Sequence, residues 1–384
     1  MYIPFLPLTQ RTSILGFLLA AFLIVLVMIN GSSILIPITI SVGLWLIIND
    51  LTNVIHRIKI GPFQCPRGLA MIVGLVLITF VMLRVAGVVY FSAIDFMSRW
   101  PEYMKNLEAL IATIPNRVWT TLLGNEARRG VDVVDQLFVY GADYFSTYMT
   151  TLIASMASLF SNAIYVVVYV IFLLLEQETF SAKARNMFQD DEQRSEFQII
   201  MRSIHEQIQT YITVKTIVSL ITALVSFAAM MLFGLDYAVV WALLIFILNF
   251  IPNIGSVVAV AFPVLMALLQ FGDWTTVGAL ALALIIIQMI NGYFIEPRMM
   301  GNQLNLSPFV VLVSLGVFGA IWGITGMFLS VPLTVILMIV FSHFDSTRPI
   351  AVLLSGDGIV HGVQIDEPVN VVAPISTHQP SITP

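Results

Sequence analysis

Charge is what this chain has least of: Asp, Glu, Lys and Arg make up 10% of its 384 residues, against about 25% in an ordinary soluble domain. With 59% hydrophobic residues and a mean hydropathy of +0.95, a water-soluble fold is excluded. The chain reads as a polytopic membrane protein, in which the counting unit is the bilayer span rather than the soluble domain. Cysteine is nearly missing too. The single Cys65 rules out an internal disulfide and a Cys-based zinc cage, and it is read as a bystander. No basic stripe with interleaved aromatics is present, which excludes nucleic acid as a partner. Nor is there a Walker A loop, a dinucleotide fingerprint or a G-x-S-x-G elbow, so ATP-driven pumping and the commoner hydrolase chemistries have no residues to carry them. The one echo of a metal motif, HEQIQ from His205, has Gln209 where a zinc protease needs its second His. No enzyme activity, cofactor or metal site is expected.

A signal-cleavage site is absent as well. Arg11 precedes the apolar run Ile14 to Ile29, but NGSS follows without an A-x-A-like sequence, so this run is read as a retained first span. Ile34 to Ile48 is the second, joined to the first by a connection so short that a tight hairpin across the membrane is expected. The loop after it carries Arg57, Lys59 and Arg67, which marks the cytoplasmic side and places the N-terminus there. Leu69 to Phe91 is span three, with Arg84 expected to snorkel toward headgroups. Residues 92–150 form an amphipathic, extracytoplasmic helical segment, with Phe96, Trp100, Tyr103, Leu107, Leu110 and Ile114 on one face. Leu152 to Leu175 is span four. The Lys/Arg-rich segment 176–210 is a cytoplasmic helical stretch, and Thr213 to Phe233 is span five, entered through Tyr211 and Lys215. The domains expected are thus residues 1–91, 92–150, a transport core over 151–354, and a disordered tail over 355–384.

Two apolar stretches have lengths that fit no simple span. Ala238 to Phe271 has 34 residues broken at PNIG, and Phe309 to Phe341 has 33 broken by Gly316, Gly319, Gly323, Gly326 and Pro332. A span takes about 20 residues, so each is too long for one and too short for two. A hairpin of shortened helices solves this, provided its irregular turn is shielded by protein. Two kinked full spans remain the alternative. No Lys or Arg flanks the first stretch, whereas Arg298 and Arg348 flank the second, so the two are expected to enter from opposite sides. Each follows a span, Thr213 to Phe233 or Thr275 to Ile295. Such paired, interrupted segments form an inverted repeat of the kind that places a solute site near the midplane. The fold expected is all-α, with about five to six full transmembrane helices plus two broken-helix hairpins.

Polar residues at membrane depth mark the candidate pathway. In the first break these are Asn249, Pro252, Asn253 and Gly255; the two amides suit a small polyhydroxylated solute and can equally cap broken helix ends. Gln288 and Asn291 lie two turns and about one turn before Glu296 on nearly one helical face. Glu296 is placed to carry a proton or cation and Arg298 to hold an anionic or hydroxyl-rich solute, unless the two form an interfacial ion pair. Lys215 either snorkels at the start of span five or faces the solute.

The segments NFIPNIGSVVAV, FIEPRMMGNQLNLSPFVVLVSLGVFG and GMFLSVPLTVILMIV, together with YITVKT from Tyr211 and AVLLSGDG from Ala351, resemble the autoinducer-2 exporter family of bacterial membrane proteins. The resemblance covers nearly the whole chain and leaves out the tail beyond Ser355. It implies a homo-oligomeric transporter of the inner membrane that exports a small polar signalling molecule, autoinducer-2, in quorum sensing. Members of the family are also linked to sodium/proton exchange, for which Glu296 would titrate. A membrane scaffold that moves no solute and binds partners through residues 92–150 is the reading from another class.

Overall fold

A computed structural model of the chain describes residues 22–57, 59–60, 63–113, 164–177, 190–300 and 305–359, with a few isolated positions besides. The start of the expected first span, residues 114–163, most of 178–189 and the tail from 360 lie outside the described residues. The helices are α1 (Ser32–Arg57), α2 (Arg67–Ala112), α3 (Ile164–Gln177), α4 (Asp191–Phe233), α5 (Ala238–Leu248), α6 (Ile254–Phe271), α7 (Trp274–Ile290), α8 (Glu296–Met300), α9 (Pro308–Ser342) and α10 (Arg348–Leu354). A π-helical turn, Asn291–Ile295, joins α7 to α8. The fold is all-α apart from a short antiparallel ladder in the basic loop, β1 (Lys59–Ile60) against β2 (Phe63–Gln64). Among the described residues six helices are long and apolar enough to cross a membrane. Their outward faces carry large exposed side chains such as Phe80, Phe91, Leu232 and Phe309. An apolar surface of that extent is a lipid-facing one. The chain is an all-α, multi-pass membrane protein.

Both long apolar stretches are hairpins. In the first, Gln270 at the end of α6 donates its amide to the Gly234 carbonyl and accepts from the Asp236 N–H, at 2.8 and 2.7 Å, so α5 begins where α6 ends. In the second, helical geometry fails at Trp322 and Gly323, which divides α9 into two limbs. A methyl added to Gly319 would come within 3.0 Å of Met327, eight residues on; along a straight helix that separation would be about 12 Å. The base closes where the Ser307 N–H meets the Leu354 carbonyl at 3.0 Å.

The two hairpins approach from opposite ends of α4. Met230, near the end of α4, packs with Leu235, Ala238, Ile245, Ala259 and Met266 of hairpin one. Ile208 and Tyr211, nearer its start, pack with Val331, Val335 and Ile339 of hairpin two. The tips meet where Phe250 stacks on Phe328, with ring centroids 4.6 Å apart.

Three elements depart from the pattern that the composition suggests. At NGSS the Gly31 N–H still bonds the Val27 carbonyl and the Leu35 N–H the Gly31 carbonyl, both at 2.8 Å. Residues 22–57 are therefore a bent helix and not a tight hairpin; short polar residues mark a bend as readily as a reversal. Helix α2 continues past Phe91 for 46 residues in all, carrying Pro101 inside it. At 1.5 Å per residue it is about 69 Å long, more than twice the hydrocarbon core of about 30 Å. Its far end clasps the base of hairpin one: Tyr103 donates to Asp236 at 2.9 Å, Asn106 to the Gln270 carbonyl at 2.9 Å, and Tyr237 to Asp95 at 2.8 Å. Burial pushes the Tyr237 hydroxyl up to about 12, so it stays a hydrogen-bond donor at any physiological pH. Thirdly, the polar helical stretch and span five are one helix, α4, of 43 residues.

Candidate solute pathway

Lys215 lies 24 residues into α4, about 36 Å from the start of the helix, and is 3% exposed. Enclosed by protein to that degree, it does not snorkel. Its Nζ instead donates to Glu296 Oε1 at 2.5 Å, and the Glu296 side chain keeps 25% exposure. A lone ammonium buried here would cost several kcal/mol, and pairing offsets that cost. The contact ties α4 to the start of α8.

The π-turn sets this geometry. The Glu296 N–H reaches back five residues to the Asn291 carbonyl, one residue further than an α-helix allows. The extra residue rotates Asn291 and Glu296 relative to one another, so that both face α4 and the tip of hairpin one. Asn249, at the end of α5, donates to Ser219 Oγ at 3.1 Å and faces the Asn291 amide at 3.4 Å. Ser219 sits one turn beyond Lys215 on the same face of α4. A polar chain thus runs across three elements.

The chain is incompletely satisfied. Both amide atoms of Gln288 and Oδ1 of Asn291 are buried without a hydrogen-bond partner, an arrangement costing about 1–3 kcal/mol per group unless something else fills it. These groups line a cavity of about 580 Å³ whose wall also includes Lys215, Asn249, Pro252, Asn253, Ser256, Tyr293 and Glu296, with Val257, Val260 and Ile285 as its apolar side. That volume falls within the range of about 300–1,000 Å³ typical of small-molecule sites. Asn253, at φ 58° and ψ −57°, is the centre of a γ-turn closed by the Ile254 N–H on the Pro252 carbonyl at 2.6 Å, a conformation that is rare and strained. This turn points its side chain away from the helix cap: no side-chain capping bond forms there.

Seven of the nine residues singled out in the sequence therefore share one cavity wall. Gly255 lies under it, packed so tightly that an added Cβ would fall 1.8 Å from the Leu248 carbonyl oxygen. Arg298 is exposed on α8; two residues after Glu296, it points about 200° round the helix and away from the cavity. Neither an ion pair between Glu296 and Arg298 nor a group able to hold a metal is found among the described residues. Ser219, Ser256 and Tyr293 were not singled out from sequence. Ser219 had a usable signal, its spacing of four from Lys215, whereas the other two become visible only once the hairpin folds.

The profile of the AI-2E family transporter family matches residues 15–345. The chain is 33% identical to the AI-2 transport protein TqsA of Escherichia coli K12, over 85% of this chain and 90% of that protein. It is 28% identical to YhhT of the same strain, over 88% and 92%, and 25% identical to PerM, over 73% and 80%; these two carry provisional transport-protein and permease names. All are named for transport and none for catalysis, and the chain belongs to the AI-2E family of transporters.

Proposed function

We propose that the protein exports a small, neutral, polyhydroxylated signalling molecule of the autoinducer-2 class, and that the cavity under the tip of hairpin one is where it binds. The observation that carries this reading is the set of unfilled amide groups on Gln288 and Asn291, beside an ion pair that already neutralises itself. Hydroxyl groups can donate to and accept from such amides, whereas a charged solute would need a counter-charge the wall does not spare. The name of TqsA supports the same solute. The sequence carries no Walker A loop, and the reading is of a secondary transporter in which movement of the opposed hairpins gives access from either side. The reading includes the bacterial inner membrane as location, the Arg57–Arg67 loop and residues 176–210 on the cytoplasmic side, residues 92–150 outside, and a homo-oligomer. Copies of the chain could meet along α2, whose apolar stretch is almost wholly uncovered.

The test is flux of labelled autoinducer-2 through proteoliposomes of the purified protein. Asn253→Gly removes the amide while keeping the positive-φ turn, which Asn253→Leu would strain further. Loss of about tenfold in flux, equivalent to about 1.4 kcal/mol, is expected for Asn253→Gly and for Gln288→Leu. Wild-type flux in both folded variants would end the assignment. The Lys215–Glu296 pair favours a second reading, exchange of a monovalent cation for a proton. Sodium-dependent proton flux, followed with a pH-sensitive dye and abolished in Glu296→Gln, would establish it in place of the first.

A further inference from the structure

A second polar cavity, of about 390 Å³, opens at the end of the bundle that carries the basic loop, between α1, the start of α2, the end of α3 and the His205–Gln209 turn of α4. It is separate from the first, sharing no residue with it. Its wall holds Trp45, Asn49, Arg67, Gln177, His205 and Gln209 and, among the described residues, no carboxylate. The nearby Asp50 is already engaged, accepting from the Gln209 amide and from the Thr213 hydroxyl.

The wall has three kinds of group. Arg67 supplies a permanent cation whose planar fork suits a tetrahedral oxyanion, and the His205 imidazole stands beside it. Trp45 presents an aromatic surface fixed from both sides, its indole N–H donating to Gln177 at 3.2 Å and its ring 5.9 Å from that of His205. Asn49 Oδ1 is buried with no partner, and can be satisfied only by a donor. An anion with acceptors alone would leave Asn49 unfilled, and a neutral polyol would leave Arg67 unused.

We infer that this cavity binds a phosphate ester carrying a free hydroxyl, with the phosphate on Arg67 and His205 and the hydroxyl donating to Asn49. Such a group reaches this end of the bundle either as a small soluble metabolite or as the glycerol-phosphate headgroup of an anionic lipid. Either source fits the position beside the basic loop.

The two sources separate in one experiment on the full-length protein in nanodiscs. In discs of phosphatidylcholine, calorimetry compares sn-glycerol 3-phosphate, inorganic phosphate and glycerol. Native mass spectrometry compares retention of phosphatidylglycerol with that of phosphatidylcholine. Preferential binding of glycerol phosphate, weakened at least about tenfold in Arg67→Gln, supports the soluble source. Preferential retention of phosphatidylglycerol, lost in Arg67→Gln, supports the lipid source. In either case Asn49→Leu reduces affinity for the hydroxylated ester to that for its plain phosphate counterpart. Wild-type protein that prefers neither phosphate form, or ester binding unchanged in both Arg67→Gln and Asn49→Leu, overturns the inference. Because the wild-type comparison stands by itself, a variant that fails to fold does not block the decision.

Discussion

The two hairpins solve the same steric problem with different chemistry. Each passes a glycine beneath a carbonyl of its opposite limb, Gly255 under Leu248 and Gly326 under Phe318, where a Cβ would fall 1.8 and 1.9 Å from oxygen. Each places one positive-φ residue two or three positions before that glycine, Asn253 or Gly323. Around the turns they diverge. Tip one is built of Asn249, Pro252 and Asn253 and forms a cavity wall, whereas tip two reverses at Trp322, which donates its indole N–H to the Met28 carbonyl at 2.8 Å. Backbone reversal in a membrane therefore needs only glycine and a shielded turn. Amide side chains at a tip are surplus to that need, and tip one carries two of them, Asn249 and Asn253, where tip two carries none.

The sharpest way to break this comparison is at the shared glycines. Gly255→Ala and Gly326→Ala should each destabilise the folded protein on the order of 3 kcal/mol, because the intruding methyl meets backbone that cannot step aside. Thermal melting in detergent checks it; a wild-type melting temperature for either variant would mean that limb is not folded back as described. The next largest effect lies at the ion pair, which has no counterpart beside tip two among the described residues. Lys215→Met should cost about 2 kcal/mol by leaving the Glu296 carboxylate unpaired. That is less than the roughly 3–5 kcal/mol of a fully buried pair, since Glu296 keeps a quarter of its exposure. The double variant Lys215→Met with Glu296→Met should recover most of the loss, and failure to do so would show that the two residues act separately.

Contact between the tips is expected to be worth less. A double-mutant cycle on Phe250→Leu and Phe328→Leu should give a coupling of about 0.5–1.5 kcal/mol, and zero coupling would remove the direct link between the hairpins. The smallest effect concerns the exits. Asp273 caps the helix after hairpin one, accepting from the Thr276 N–H at 2.9 Å, while Thr347 after hairpin two makes no side-chain cap. The Thr276 backbone bond holds the Asp273 carboxyl below its usual range. Its stabilisation is therefore complete above the unfolded-state pKa and fades as pH falls through the lowered folded-state value. Asp273→Asn should flatten that part of the acid melting curve, with no matching change from Thr347→Val.

Much of this comparison is legible in the sequence, for a physical reason. The bilayer sets a length scale, so stretches of 34 and 33 apolar residues announce themselves as misfits, and the charges around them point to opposite approaches. Asn249, Asn253, Gln288, Asn291 and Glu296 stand out because polar groups at that depth are expensive. What stayed hidden depends on three-dimensional pairing. Lys215 and Glu296 are 81 residues apart, and nothing in either neighbourhood names the other; Lys215 resembles the snorkelling residue of any span. Gly31 within NGSS promised a reversal and delivered a bend, because glycine and serine lower the cost of both. The continuation of α2 through Pro101 was hidden by the change from apolar to amphipathic composition, which alters the face of a helix without ending it.

One consequence of the π-turn concerns insertion and deletion. Between Asn291 and Ile295 the helix carries one residue more than an α-helical path of the same rise would hold. Removing a single residue there would not open a gap; it would restore ordinary winding along the same path and leave everything beyond it close to its present orientation. Asn291 and Glu296 would then stand four residues apart on one helical face, and the contact with Lys215 would survive. A deletion in the regular part of α7 has no such slack and would swing Glu296 by about 100°, so the turn is the one stretch of this helix that can lose a residue and keep its pairing.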